Sequence, residues 1–175
     1  MIIEAGYDLH LLLFAGNHEP GALRMVGLDA DLRVTTVRTV MPAFSGRFDA
    51  AALDSIDAAI PVDNENSPTY DTRFVALGYE VADARGYPEG FDWERVKVVK
   101  EWLGCRGVEL LGIQVSDHER WASTGPMHSF ASYLLADELP RAVVIPGPHP
   151  FDSCECAACA PRRQQLRRGR SARSV

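Results

Sequence analysis

The chain has 175 residues, 46% of them apolar and 24% charged, which leaves room for one compact core plus an appendage. No run approaches the ~20 apolar residues that a helix needs to span a bilayer, so helical membrane functions are set aside. The net charge of −6 is divided: six of the 18 Lys and Arg lie in 161–175 with no acid, leaving 12 against 24 Asp and Glu in the first 160 residues.

Such an acidic body repels phosphate over most of its surface, and only the tail attracts polyanions. The opening MIIEAGYDLHLLLFAG carries Glu4 and Asp8 where the basic region of a secretory leader would stand, so the expected compartment is the cytoplasm. In a reducing compartment four cysteines point to metal ligands or buried thiols rather than to disulfides.

In chain order, LHLLLFA (Leu9 to Ala15) is a short apolar run stopped by GNHEPG, and its length predicts a buried strand. ALRMVGL, an Asp-rich turn at Asp29 to Asp31, and the alternating, β-branched LRVTTVRTV predict a hairpin. FDAAALDSIDAAI, with Leu53, Ile56 and Ile60 at helical spacing among alanines, predicts a helix. After a polar connection, RFVALGYEV reads as a central strand. Asp92 then caps WERVKVVKEWLG, whose Val96, Val99 and Leu103 form one stripe while Lys97, Lys100 and Glu101 face water, and Gly104 ends the helix. VELLGIQV and HERWAS predict two more strands, SFASYLLADEL a helix capped by Ser129, and PRAVVIPGPHPFD an irregular connector. The succession β, β, β, α, β, α, β, β predicts an α/β fold: a single domain with a mixed β-sheet flanked by helices, over 1–139. A Pro-rich connector with a Cys knuckle over 140–160 and a basic, disordered tail over 161–175 are expected to follow.

GALRMVGLDADLRVTTVRTV resembles the opening hairpin of RadC-type JAB (MPN-like) domains. DWERVKVVKEWLGCRGVELLGIQVSDHERWASTGPMHSF resembles the same family further on: an Asp opens a helix (Asp92), Leu-Gly-Ile (Leu111 to Ile113) leads to an Asp-His pair (Asp117, His118), and Ser129 with Phe130 closes the next strand. The resemblance covers roughly Gly21 to Phe130. It implies a divalent metal held by two His of an His-x-His-Pro motif and an Asp, with an upstream Glu as base, because such ligands leave one position open for an acidified water. Here the two histidine positions fall on Tyr79 and Val81, the small hydroxyl residue before the Asp is Glu89, and Leu32 to Val40 holds no carboxylate. By this resemblance the metal site is dismantled and no catalytic residue is assigned.

A replacement site could gather from Glu80, Asp83, Glu89, Asp92, Asp117 and His118, with Asp92, Asp117 and His118 as its centre. Carboxylates of that kind suit Mg2+ or Mn2+, and this is the basis of an alternative reading as a metal-dependent hydrolase. Against it, Asp83 and Glu89 lie in a solvated loop, Asp92 serves as a helix cap, and Asp117 with His118 can be a strand-end pair. No nucleotide-binding glycine loop, HExxH or GxSxG is present. His10 and His18 have no partner pattern, and Cys105 sits at a helix C-terminus, where the dipole disfavours a thiolate.

Cys154, Cys156 and Cys159 form C-x-C-x2-C, whose x2 spacing is that of a zinc knuckle. Tetrahedral zinc wants a fourth ligand, and His149 is nearest in sequence, with Cys105 more distant. The competing reading is a short segment without a metal. Arg162, Arg163, Arg167, Arg168, Arg170 and Arg173 then form a basic arm suited to unspecific nucleic-acid contact by counterion release, since no aromatics are interleaved for stacking. An arm folding back on the acidic body explains the same charges. Two functions remain: a non-catalytic binding or scaffold module with an unknown protein partner, or the hydrolase.

Overall fold

The computed structural model describes residues 1–15, 21–60, 71–87, 89–127 and 130. Three helices and five strands follow in the order α1 (Gly6–Phe14), β1 (Leu23–Leu28), β2 (Val34–Met41), α2 (Ala50–Ala59), β3 (Phe74–Glu80), α3 (Trp93–Gly104), β4 (Glu109–Ser116) and β5 (Trp121–Ser123). The strands form one mixed sheet in the order β2-β1-β3-β4-β5. β1 runs antiparallel to both β2 and β3, β3 and β4 are parallel, and β5 returns antiparallel on β4. The α/β class with a mixed sheet is therefore as expected. The expected helix at 129–139, the connector, the Cys knuckle and the basic tail lie outside the described residues.

One expectation fails. The Leu9–Ala15 run is not a strand but most of α1. A run that is apolar at every position but His10 carries no periodicity to tell strand from helix, and two local features decide it. Leucine keeps its rotamer freedom in a helix, unlike the β-branched residues of β2. Asp8, at the third helical position, accepts from the backbone N–H groups of Glu4 (3.0 Å) and Ala5 (3.1 Å), satisfying amides that the helix start leaves over.

The other helices follow their signals. Asp49 caps α2 by accepting from Ala52 N at 3.0 Å, and Asp92 caps α3 by accepting from Arg95 N at 3.2 Å. α2 buries Leu53 and Ile56, and α3 buries Val99, Trp102 and Leu103, all in the larger core cluster, which includes Met25, Leu77 and Ile113 of the sheet. α1 covers the opposite side with Leu9 and Leu13 against Val26, Leu28, Ala76 and Leu111, joined by Ile3 and Phe130. Alternate strand residues thus supply two cores, one on each side of the sheet.

Arg106, just past α3, places Nη2 2.5 Å from Asp57 Oδ1 of α2, with both side chains largely shielded from water. Its guanidinium also lies 5.3 Å from the Trp102 ring centroid. The contact ties the two helices to each other as well as to the sheet. Among the described residues no helix is long and apolar enough to cross a membrane.

Candidate functional site

In an open α/β sheet, ligand sites form beyond the carboxyl ends of parallel strands. Here those ends are Glu80 of β3 and Ser116 of β4, which are register partners, and Val81 N donates to Ser116 O at 2.9 Å just beyond them. The residues singled out from the sequence cluster in the two loops that leave this point.

Tyr79 stands in an aromatic nest. Its ring meets Phe44 edge-on at 5.1 Å and Phe48 at 6.2 Å, and its phenol hydrogen-bonds Tyr87. Tyr87 in turn meets Phe91 at 4.7 Å, and Phe91 lies 5.9 Å from Trp93. Burial, then the neighbouring Tyr87 and Asp92, push the Tyr79 phenol well above its ordinary pKa. It is therefore a neutral phenol at pH 7.

The acidic residues around the nest serve the backbone. Asp117 accepts from Ala84 N with one oxygen (2.9 Å), and from Glu119 N (3.0 Å) and Arg120 N (2.7 Å) with the other. Those amides, Ala84 first, hold its carboxyl below the usual range. Asp83 chelates Arg85 Nε at 2.9 and 3.0 Å, and that hydrogen-bonded pairing lowers its pKa. Asp92 takes its cap hydrogen bond, with Arg95 Nε 3.9 Å from its other oxygen. His118 has a left-handed backbone (φ 72°), and its Nε2 lies 3.5 Å from Glu80 Oε1. Asp117 and His118 thus share a turn, whereas Asp92 is engaged at the start of α3. Among the described residues no three His, Cys, Asp or Glu side chains are grouped to hold a metal ion.

The divalent cation that the family resemblance implies does not fit the residues present at the end of β3. A neutral phenol packed among rings and an isopropyl group offer no pair of imidazole-like donors, and the nest fills the space beside them with apolar surface. No step through a metal is derived there. His149, Cys154, Cys156, Cys159 and the tail arginines lie outside the described residues. Cys105 is the C-cap of α3 and half-buried.

Sequence reasoning missed the ring partners of Tyr79. Their signal was the loop MPAFSGRF, in which two Phe sit among Pro and Gly, where apolar side chains need a partner elsewhere. The wet face of α3 expected from the sequence is found at Lys97 and Lys100, with Trp93 half exposed beside them. No protein-family model matches the chain, and no curated protein matches it.

Proposed function

We propose that the chain is a non-catalytic binding or scaffold module of RadC/JAB-like descent, working in the cytoplasm. Its C-terminal part would add a zinc knuckle from Cys154, Cys156, Cys159 and His149 and an arginine arm that draws nucleic acid. The observation that carries this reading is the nest around Tyr79. Where a metallohydrolase needs a polar pocket able to acidify water, this chain packs Phe44, Phe48 and Tyr87 around a neutral phenol. The nearby carboxylates support the same view, since Asp92 and Asp117 are already engaged by backbone amides. Zinc is a suitable knuckle ion because thiolates bind it strongly and its binding can fold a short segment.

Metal analysis of the purified full chain tests the proposal, comparing it with a variant carrying Cys154→Ser, Cys156→Ser and Cys159→Ser. One zinc per chain, lost in the variant, is expected. Stoichiometric metal retained by the variant, together with peptide hydrolysis that Asp92→Asn or His118→Ala abolishes, would transfer support to the hydrolase reading. For the arm, binding of a 20-nucleotide single strand should weaken steeply with salt and disappear when Arg162, Arg163, Arg167, Arg168 and Arg170 are changed to Gln.

A further inference from the structure

On the outer side of α3, where Trp93 ends the line of rings that runs from the nest, a groove of about 260 Å³ opens between the helix and the sheet. Trp93, Val96, Lys97 and Lys100 form its helical wall, and Leu110, Gly112 and Thr124 contribute from the sheet side. The helical residues follow the i, i+3, i+4, i+7 spacing that places side chains on one face. Trp93 is 51% exposed, and both lysines are exposed without an ion pair to any described residue. Among the residues that line the groove only the two lysines are charged. Glu109, beyond the lining, has its carboxyl held above its usual pKa by burial and drawn back by Lys100.

The floor is preformed. A register shift beside Val75 sets Leu111 out of step with β3. Gly125 packs against it so closely that a Cβ there would lie 1.8 Å from the Leu111 carbonyl oxygen. Thr124 Oγ1 accepts from Ile113 N at 2.9 Å, which anchors the neighbouring wall. An apolar slot of this size takes one side chain, and the two cations above it, on a chain of net charge −6, call for negative charge beside that anchor.

We propose that this groove docks an extended acidic segment of a partner protein, with one apolar side chain between Trp93, Val96 and Leu110 and its carboxylates on Lys97 and Lys100. The inference rests on the binding-module reading and names the kind of partner that module takes. A nucleic-acid strand fits less well. It needs a row of stacking rings and a continuous cationic track, whereas the groove offers one exposed ring and two cations.

Selection of a random 12-residue phage-displayed peptide library on the full chain tests it. Enriched peptides should carry clustered Asp or Glu next to an apolar residue. Measured by fluorescence anisotropy with labelled copies, their affinity should fall at least tenfold on Trp93→Ala and on combined Lys97→Glu and Lys100→Glu. The exposure of all three side chains means that the thermal midpoint should barely move, which separates lost binding from lost folding. Failure to enrich any peptide, enrichment of peptides without acids, or binding indifferent to these substitutions overturns the proposal. So does displacement of the peptides by a 12-nucleotide oligothymidine from the variant with arm arginines changed to Gln, because the groove would then be a nucleic-acid site. The binding-module reading fails by a different sign, hydrolysis of peptide by the chain, which leaves the groove result standing.

Discussion

The two sides of the sheet are closed by different means. α2 and α3 present apolar stripes and wet faces, and the core that they cover is built from Leu53, Ile56, Val99, Trp102 and Leu103 against strand residues such as Leu77 and Ile113. α1 is apolar nearly all round, so it buries Leu9 and Leu13 while leaving Tyr7 and Leu11 exposed. Polar atoms remain buried around it: His10 Nδ1, Gln114 Oε1 and Arg24 Nε have no hydrogen-bond partner among the described residues.

A stripe tells a helix which side to bury, and α1 has no stripe. Its seating is specified by polar contacts and a close approach instead. Gln114 Nε2 donates to Gly6 O at 2.8 Å, and Arg24 Nη1 donates to Leu13 O. Gly78 admits the helix so closely that a Cβ would stand 3.0 Å from Leu13 and Phe14. The lesson is that apolar area supplies the attraction on both sides, whereas orientation comes from patterning on one and from a few directional contacts on the other.

The largest expected effect lies on the patterned side. Trp102 is fully buried, and Trp102→Ala should cost about 4 kcal/mol in urea-unfolding experiments, through lost transfer energy and the cavity left behind. A loss under about 1 kcal/mol would mean that this core collapses freely, and the contrast would vanish.

On the other side, Gln114→Met should change stability by less than about 1 kcal/mol, because it removes a buried oxygen without a partner together with one hydrogen bond to a helix carbonyl. A much greater loss would show that Oε1 is satisfied by an ordered water, making that side better closed than the described residues indicate.

The smallest effect is a slope with pH. His10 stacks on Trp121 at 4.8 Å and on Tyr7 at 6.3 Å, with the Phe14 ring tilted against it at 5.0 Å, and burial lowers its pKa from the ordinary 6.5. Above that value both folded and unfolded chains hold it neutral. Below it the unfolded chain takes up the proton first, so stability should decline as pH falls from 6.5 toward the lowered folded value. His10→Phe keeps the stacking surface and should flatten that part of a stability profile measured by urea unfolding. An unchanged slope would assign it to other groups.

Much of the fold was legible in local signals. The hairpin of β1 and β2, the alanine-rich α2, and α3 between Asp92 and Gly104 appear where spacing, β-branching and capping placed them. The helical state of Leu9 to Phe14 was less accessible, since it turned on Asp8 reaching back to two amides rather than on any period. At the candidate site, the absence of imidazoles at Tyr79 and Val81 was readable directly. The occupation of Asp117 by Ala84, 33 residues away in sequence, was not.

By itself the amino-acid order determined the elements other than α1, the absence of imidazoles at Tyr79 and Val81, and the division of charge between residues 1–160 and 161–175, because these depend on residue identity and near-neighbour spacing. Only the tertiary structure decided that Phe44 and Phe48 close around Tyr79, that Asp117 is taken up by Ala84, and that Trp93, Lys97 and Lys100 overlook a groove floored by β4. Each of these joins residues distant along the chain, and such pairings are selected by how whole faces pack rather than by any signal a single segment carries.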